Sequence, residues 1–293
     1  MCARSIYWAP AKINLCLHVE RRRPDGYHDL AMLMQRVTVA DRIGIALTAR
    51  PGVHLWCPGV VLPPQGENIA QRAARRMLEL AGGGGVELVI DKQIPVAAGL
   101  GGGSSDAATV LLALNELLGL HLTLAQLRAE GLRLGADVPF FLLRHSAWAT
   151  GVGDRLEPVS GLPPVWYLLV NPGIEVSTAW VFQNLKLTSP RAVTTLPALP
   201  GSAEALVSLL HNDLEAVTCE RYPVVNRIKQ RLLEYGALGA LMSGSGPTVF
   251  GLFSSRRAAL AAQEALTREY GWWCLPARPL ADGVTDARAF SDD

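Results

Sequence analysis

The sequence predicts a fold built from both strands and helices, in a chain long enough for two domains. Its 293 residues can form one large domain or two ordinary ones, each with its own core. Strand-like and helix-like stretches follow one another along the chain without separating into a strand half and a helix half. A segment rich in Pro, Gly and Ser at residues 158–164 is the best candidate for a domain boundary.

The N-terminal stretch has the alternation of a half-buried strand. Its aliphatic positions are Ile13, Leu15, Leu17 and Val19, and they alternate with Lys12, Asn14, Cys16 and His18. A turn at residues 23–26, with its proline and glycine, leads into a second strand stretch at about residues 30–47. The chain is therefore expected to open with a hairpin or a longer meander.

Further elements follow in order. A helix is expected to start at Asn68 and to end in the glycine run 82–85. After it we expect a strand at 86–90, a strongly periodic helix at 106–118, and a helix at 124–134 capped by Gly135. In the second half we expect strands at 165–170 and 248–253, and helices at 203–210, 224–235 and 257–270. The polar tail from residue 282 is expected to be loose.

Composition excludes several classes of function. Lys and Arg number 27 against 26 Asp and Glu, so the near-neutral charge indicates neither a nucleic-acid nor a membrane-surface partner. The five cysteines are scattered and form no Cys-x-x-Cys pair, which argues against a disulfide framework or a structural zinc site. We see no signal peptide and no apolar stretch of about 20 residues. A soluble cytoplasmic protein, monomeric or weakly dimeric, is expected.

A glycine-rich segment is the first candidate for chemistry. It reads Pro95-Val96-Ala97-Ala98-Gly99-Leu100-Gly101-Gly102-Gly103-Ser104-Ser105 and opens the 106–118 helix. Glycines let backbone N–H groups approach a phosphate closely, and a helix N-terminus adds unpaired donors and a positive dipole end. No lysine follows as in a Walker loop, the Rossmann spacing is incomplete, and a protein-kinase loop joins two strands. The remaining alternative is a glycine-rich helix start without a ligand.

Three polar residues complement that loop. Lys12 and Asn14 leave the same face of a strand, and Asp137 precedes Val138-Pro139 at an N-cap position. Taken alone, the first two fit a solvent-facing strand surface, and Asp137 fits a helix cap. With a nucleotide loop, a carboxylate can accept a proton from an alcohol, and a lysine can keep it ionised. Only four basic residues are lysines (Lys12, Lys92, Lys186, Lys229), so each lysine in an apolar stretch is of interest.

A second glycine loop occurs late in the chain. Ser243, Gly244, Ser245 and Gly246 are expected to lie between a helix and the strand that ends at Phe253. The loop alone is compatible with a plain turn. Two such loops in one chain favour a shared nucleotide-lined cleft.

Together these motifs resemble the GHMP kinase superfamily, which includes galactokinase, homoserine kinase and mevalonate kinase. Residues 95–105 match its phosphate loop, Pro-x-x-x-Gly-Leu-Gly-Ser/Gly-Ser-Ser, with one extra glycine. Ala97 and Ala98 stand where some members carry glycine. The resemblance covers nearly the whole chain. It implies a two-domain α+β fold, with a ribosomal-protein-S5-like N-terminal domain (1–157), a ferredoxin-like C-terminal domain (158–281) and a loose tail (282–293).

Three segments narrow the resemblance. Residues 9–15 (Ala-Pro-Ala-Lys-Ile-Asn-Leu), 23–28 (Arg-Pro-Asp-Gly-Tyr-His) and 135–140 resemble the kinases of 4-diphosphocytidyl-2-C-methyl-D-erythritol in non-mevalonate isoprenoid synthesis. That family phosphorylates the tertiary 2-hydroxyl of a cytidine diphosphate substrate with ATP. By the resemblance, Asp137 is the general base, Lys12 its charged partner, and Asn14 orients the substrate.

The resemblance also implies binding roles. Tyr27 and Phe182 would sandwich the cytosine while His28 reads its polar edge, although each could equally be a turn or core residue. Asn68 would lie near adenine or simply cap a helix. Mg²⁺ would be held mainly by ATP phosphates, with Ser105 as the candidate protein ligand.

Three alternatives remain open at this point. One is another GHMP kinase, acting on homoserine or a sugar and indifferent to cytidine. Another is a catalytically silent GHMP-fold protein that binds nucleotide and a partner, against which Lys12 and Asp137 argue. A nicotinamide oxidoreductase is disfavoured by the incomplete Rossmann fingerprint.

Overall fold

The computed structural model describes residues 4–59, 68–187, 195–196 and 198–283, which build two β-sheets with helices packed against them. The larger sheet has seven strands: β1 (Ser5–Arg22), β2 (His28–Thr48), β3 (Gly52–Trp56), β4 (Gly85–Asp91), β5 (Ser146–Gly151), β6 (Arg155–Val159) and β8 (His211–Asn212). Their order is β3-β4-β2-β1-β8, while β5 pairs with β2 and β6 with β5. The long antiparallel pair β1 and β2 is the centre of this sheet.

The first half of the described chain also forms four helices: α1 (Ile69–Leu80), α2 (Gly102–Leu117), α3 (Leu124–Leu134) and α4 (Val138–Leu143). Helix α2 buries Val110, Leu111 and Leu114 on its apolar stripe. It packs against α1, α4 and β1, so it lies at the centre of this layer. Its N-terminal turn is therefore held firmly against the middle of β1.

The smaller sheet is antiparallel throughout. Its strands are β7 (Trp166–Asn171), β9 (Gly239–Met242), β10 (Val249–Phe253) and β11 (Trp273–Ala277), in the order β11-β7-β10-β9. The helices of this half are α5 (Thr178–Asn184), α6 (Ala203–Val207), α7 (Glu215–Arg221), α8 (Pro223–Glu234) and α9 (Arg256–Tyr270). Helix α8 packs on β9 and β10, and helix α9 packs on β11, β7 and β10.

The two sheets share a hydrophobic core. Ile13, Leu15 and Leu33 of the larger sheet belong to one buried cluster with Tyr167 and Phe250 of the smaller sheet. Strand β1 is consequently buried on both faces. The predicted half-buried strand is wrong in this respect, because the second sheet covers one face while α2 and its loop cover the other.

Most predicted elements are confirmed, although the expected 203–210 helix is shorter, at Ala203–Val207, and two further corrections are needed. The expected 106–118 helix begins at Gly102, so the glycines and serines form its first turn rather than a preceding loop. Residues 243–248 connect two antiparallel strands, β9 and β10, instead of a helix and a strand. Strand β9 escaped prediction because its four residues show no alternation that distinguishes them from the end of a helix.

The division of the chain into 1–157 and 158–281 stays a prediction. Residues 158–164 do lie between β6 and β7, yet the chain later returns to the larger sheet through β8. Residues near position 280 also contact the larger sheet, since Leu280 N donates to Arg36 O of β2 at 2.9 Å. Asp282 accepts a hydrogen bond from Ser160 at 2.9 Å, and the rest of the predicted loose tail, 284–293, lies outside the described residues.

Within the described ranges, no helix is long and apolar enough to cross a membrane.

Candidate active site

The two glycine loops are in direct contact. Ser243 Oγ donates to Gly99 O at 3.0 Å, and Thr248 N donates to Ala98 O at 3.4 Å. Gly99 has a φ of +75°, and a Cβ there would lie 2.2 Å from Ser243 O. Only glycine permits this approach, so the structure brings the two predicted loops together as one surface.

The first turn of α2 is built for an anion. Gly101 is the N-cap residue with a φ of +71°, and Gly102, Gly103, Ser104 and Ser105 follow it in the helix. A first helical turn has unpaired N–H groups and carries the positive end of the helix dipole. The Ser105 Oγ is buried and has no hydrogen-bond partner among the described residues. The predicted phosphate loop therefore presents both backbone donors and a hydroxyl that nothing in the described chain uses.

Lys12, Asn14 and Asp137 converge next to these loops. Lys12 Nζ donates to Asn14 Oδ1 at 2.6 Å and lies 3.9 Å from Asp137 Oδ2. Lys12 is 5% and Asn14 0% exposed, so the solvent-facing alternative is wrong. Asp137 precedes α4 without a side-chain cap hydrogen bond, and its side chain is 36% exposed. Its carboxylate is thus available to a ligand rather than used to cap the helix.

The buried position of Lys12 determines its electrostatics. Burial lowers the pKa of Lys12, and the neighbouring Asp137 carboxylate opposes that effect in part. An ammonium group with so little water around it attracts any nearby negative charge strongly. The site therefore favours a ligand or reaction step that adds negative charge beside Lys12.

Backbone hydrogen bonds tie β1 to both loops. Lys12 N donates to Leu100 O at 2.9 Å, and Asn14 N donates to Ser243 Oγ at 3.3 Å. The side chains of Lys12 and Asn14 are therefore placed by the same strand that positions the glycine loops. Residues two positions apart on a strand point to the same face, which explains why Lys12 and Asn14 are spaced in this way in the sequence.

Of the three predicted nucleobase residues, the structure brings two together. The rings of His28 and Phe182 stack with centroids 5.0 Å apart and 25° between their planes. Burial, with a smaller contribution from Arg22, lowers the pKa of His28, which favours the neutral imidazole. Tyr27 is 66% exposed on the preceding turn, and no ring contact of Tyr27 is found within the described ranges. Helix α5, which carries Phe182, is linked to the second loop through Thr178 Oγ1 and Ser245 Oγ, 2.7 Å apart.

Asn68 caps α1, since its Oδ1 accepts from Ala70 N at 2.8 Å. The capping role foreseen as one of its two alternatives is confirmed. A role near adenine stays a prediction.

A buried charge cluster behind the phosphate loop was missed by sequence reasoning. Lys92 donates to Asp106 at 2.8 Å and also to Asp41, whose other oxygen accepts from Gln93 N and Ile94 N. Burial raises the pKa of Asp106 to about 8, against the opposing effect of Lys92. The cluster joins β2, the end of β4 and the N-terminal part of α2. The scarcity of lysine was the one signal in the sequence, but nothing local connected Lys92 to its partners.

Asn212 and Thr218 were missed as well. Asn212 Nδ2 donates to Met242 O and Gly244 O, each at 2.8 Å, and Thr218 Oγ1 donates to Ser245 O at 3.2 Å. These bonds hold the backbone of the second loop in shape. Both residues lie some 30 positions upstream, and no sequence spacing marks such a contact.

Comparison with protein families gives two matches. Residues 68–145 match the family described as GHMP kinases N terminal domain, and residues 195–271 match GHMP kinases C terminal. The first match contains the phosphate loop and Asp137, and the second contains the loop at 243–246.

Individual relatives resemble the chain over nearly its whole length. A Syntrophotalea carbinolica protein named 4-diphosphocytidyl-2-C-methyl-D-erythritol kinase is 58% identical, covering 94% of this chain and 99% of its own. A Pelobacter propionicus protein of the same name is 54% identical, covering 93% and 98%.

Solved structures of two kinases also resemble this chain in fold. A crystal structure of 4-(cytidine 5'-diphospho)-2C-methyl-D-erythritol kinase matches with a TM-score of 0.79 at 40% identity, covering 94% of this chain and 99% of that one. Homoserine kinase from Cytophaga hutchinsonii matches with a TM-score of 0.70 at 20% identity, covering 96% of each chain, which is a likeness of fold alone.

Proposed function

The chain belongs to the GHMP kinase family, and from that premise we propose that it transfers the γ-phosphoryl group of ATP to the 2-hydroxyl of 4-diphosphocytidyl-2-C-methyl-D-erythritol. The two-domain α+β fold expected from the resemblance is confirmed by the family matches and the structural likeness. The observation that carries the proposal is the Lys12–Asp137 pair beside the contact of the two glycine loops.

The geometry supports direct transfer between the two substrates. The first turn of α2 would hold the ATP phosphates through backbone N–H groups. The acceptor hydroxyl would lie against Asp137, which takes its proton as the oxygen bonds to the γ-phosphorus and the bond to the ADP oxygen breaks. Lys12 would offset the negative charge on the reacting oxygens, for which its buried ammonium is well suited. Asn14, hydrogen-bonded to Lys12 Nζ, would keep that ammonium in position.

Mg²⁺ belongs to this proposal because the residues at the loop fit it. The buried, unpartnered Ser105 Oγ is a hard oxygen donor at the phosphate end of α2. Bound there with ATP, the ion would neutralise phosphate charge. The rest of its coordination would come from the phosphates and water.

The residues for cytosine fit the proposal in part. The stacked pair of His28 and Phe182 offers a flat face and a polar edge, and the exposed Tyr27 is free to close over a base from the other side. The lowered pKa of His28 favours a neutral ring, which can both donate and accept hydrogen bonds.

A coupled ADP-release assay tests the proposal. The cytidyl substrate should be phosphorylated with a kcat/KM on the order of 10- to 100-fold above that of the same methylerythritol phosphate lacking the cytidyl group, as expected from one stacked base. Equal rates with both compounds would contradict the proposed acceptor and favour another GHMP kinase activity. Homoserine belongs in the assay as a competing acceptor, because its kinase shares the fold.

We further expect the protein to be a monomer or weak homodimer in the cytoplasm, without a nucleic-acid partner. Light scattering coupled to gel filtration measures the oligomeric state. A stable higher oligomer at micromolar concentration would contradict it.

A further inference from the structure

A cluster of two histidines and one aspartate lies where β8 joins the edge of the larger sheet. Strand β8 runs parallel to β1, with Cys16 opposite His211 and Leu17 opposite Asn212. His18 follows on β1, and Asp213 follows β8. The potential ligand atoms of His18, His211 and Asp213 all lie within 4.8 Å of one another.

The side chains of this cluster are already held close together. Asp213 Oδ2 accepts from Val19 N at 2.8 Å, and Asp213 Oδ1 lies 2.8 Å from His211 Nε2. The rings of His18 and His211 stack with centroids 4.4 Å apart and 15° between their planes. The His211 side chain is 43% exposed, so an ion can reach the cluster from solvent.

We propose that His18, His211 and Asp213 bind a divalent transition-metal ion, with Zn²⁺ as the ion the ligand set fits best. Two imidazole nitrogens and one carboxylate oxygen are a common zinc ligand set, and water would fill the fourth position. Mg²⁺ and Ca²⁺ prefer oxygen ligands, so this site is distinct in chemistry from the ion that accompanies ATP. The ion would replace the hydrogen that His211 and Asp213 share.

The position of the cluster gives a bound ion a structural effect. The ligands come from β1 and from the much later β8 segment, so the ion would fasten these two parts of the chain to each other. Asn212, between two of the ligands, donates to the carbonyl groups of Met242 and Gly244. Fixing β8 therefore also fixes the residue that holds the second glycine loop.

Metal titration of the untagged, chelator-treated full-length protein without nucleotide tests the proposal. By isothermal titration, one equivalent of Zn²⁺ should bind. His18→Gln and His211→Gln should each weaken that binding by more than the ~10-fold that loss of even an outer partner costs. His54→Gln is the matched control, because His54 lies on β3 at the opposite edge of the same sheet and should leave the affinity unchanged.

Two further measurements keep the test decisive if a histidine variant folds poorly. Asp213→Asn keeps an acceptor for Val19 N while removing the ligand charge, and it should also weaken Zn²⁺ binding by more than ~10-fold. In the wild-type protein, Zn²⁺ should shift the imidazole NMR signals of His18 and His211 and raise the Tm by on the order of 5 °C at 100 times its Kd, reversibly with chelator.

Several outcomes would overturn the proposal. They are the absence of a one-to-one Zn²⁺ complex, unchanged affinity in the two histidine variants, or imidazole shifts confined to other histidines. A thiolate charge-transfer band on replacing Zn²⁺ with Co²⁺ would place the ion on cysteines instead. None of these results depends on kinase activity, so the proposed function stands or falls separately.

Discussion

Asp137 and Lys12 carry the chemistry at the scale of single residues. The 3.9 Å between Lys12 Nζ and Asp137 Oδ2 leaves room for an alcohol oxygen to contact both, and no helix-capping bond competes for the carboxylate. A carboxylate in this position can accept the proton of that alcohol.

Asp137→Asn removes the proton acceptor and keeps the shape of the side chain. We expect kcat to fall by roughly 10²- to 10⁴-fold while ATP affinity stays nearly unchanged. Steady-state kinetics and nucleotide titration measure the two quantities. Glu264→Gln, on the exposed face of α9, is the control and should leave both at the wild-type value. Wild-type turnover in Asp137→Asn would remove Asp137 from the base role.

Lys12 gives a second expectation for single residues. Because burial lowers its pKa, the Lys12 ammonium should lose its proton at a lower pH than the 10.5 of an ordinary lysine. Since the charged form is the one that attracts phosphate, kcat/KM for ATP should fall on the alkaline side at a pH below 10.5, because kcat/KM reports the groups of the enzyme before ATP binds. A pH profile of kcat/KM for ATP tests this, and a profile that stays flat up to pH 10.5 would contradict it.

At the scale of the element, the contact between the two glycine loops explains why residue 99 must be a glycine. Gly99 needs a left-handed φ, and it also leaves no space for a Cβ against Ser243 O. Gly119 has a similar φ of +62°, but a Cβ added there would meet no atom within 4 Å. Comparing alanine substitutions at Gly99 and Gly119 therefore separates the cost of left-handed backbone strain from the cost of disturbing the contact between the loops.

We expect Gly99→Ala to raise the KM for ATP by at least about tenfold, since the clash must push the two loops apart, and to cost stability beyond the ~1–2 kcal/mol of left-handed strain. Gly119→Ala should cost only that strain and leave the KM unchanged. Kinetics and urea unfolding of the two variants make the comparison. Equal KM values for both would show that the loop contact is unimportant for ATP.

The buried cluster of Lys92, Asp41 and Asp106 joins three elements at the base of α2. Burial raises the pKa of Asp106 to about 8, above the 3.8 of an exposed aspartate, so the folded chain binds more protons than the unfolded chain between those values. The contribution of Asp106 is therefore fully present below about pH 4 and is lost as the pH rises through about 8.

Asp106→Asn should weaken the dependence of folding stability on pH. In the wild type, this group should lower the free energy of unfolding between about pH 5 and 8 with a slope approaching about 1.4 kcal/mol per pH unit, and the variant should lack this slope. Urea denaturation at a series of pH values measures it. Identical slopes in the two proteins would show that Asp106 does not take up the proton.

At the scale of the whole molecule, the two sheets form one hydrophobic core. Tyr167 of the smaller sheet donates its hydroxyl to Gln35 of the larger sheet at 2.5 Å, and both are buried. Ile13, Leu15 and Phe250 belong to the same buried cluster as Tyr167. Neither sheet can be exposed without uncovering the apolar face of the other, so the two should unfold together.

Tyr167→Phe leaves the Gln35 oxygen without its buried partner. The expected loss is about 1–3 kcal/mol of unfolding free energy, still in one transition with coincident fluorescence and circular dichroism. Tyr235→Phe removes a hydroxyl that donates to Glu269 at an exposed site, so it should change stability by less than about 0.5 kcal/mol. Two separate transitions in the wild type would contradict a shared core.

The sequence predicted correctly those features that depend on a pattern of a few neighbouring residues. The alternation around Ile13, the periodic helix after Ser105 and the glycine spacing all follow from rules that act over a few residues. They led to the correct elements, whereas the grouping of Lys12, Asn14 and Asp137 was expected from the chemistry of phosphoryl transfer and from the family resemblance. The burial of Lys12 could not be foreseen in this way, because its face of β1 is covered by the start of α2 and the two glycine loops, which come from distant parts of the chain.

Long-range polar contacts mark the limit of such reasoning. Lys92 meets Asp41 across 51 positions, and Asn212 supports Gly244 across 32. No periodicity records these distances, since they depend on how the sheets pack. The α2 start at Gly102 was missed for a different reason, because glycine is a poor helix former and becomes helical here through tertiary packing.

The two-sided burial of β1 has a consequence for how the protein is made. During synthesis, the larger sheet leaves the ribosome with Ile13 and Leu15 uncovered, and their partner Phe250 is added only in the last fifth of the chain. Strand β8 likewise arrives long after the edge of β1 that it completes. The nascent chain thus carries an open apolar face and an unpaired strand edge for most of its translation, the kind of surface that chaperones bind.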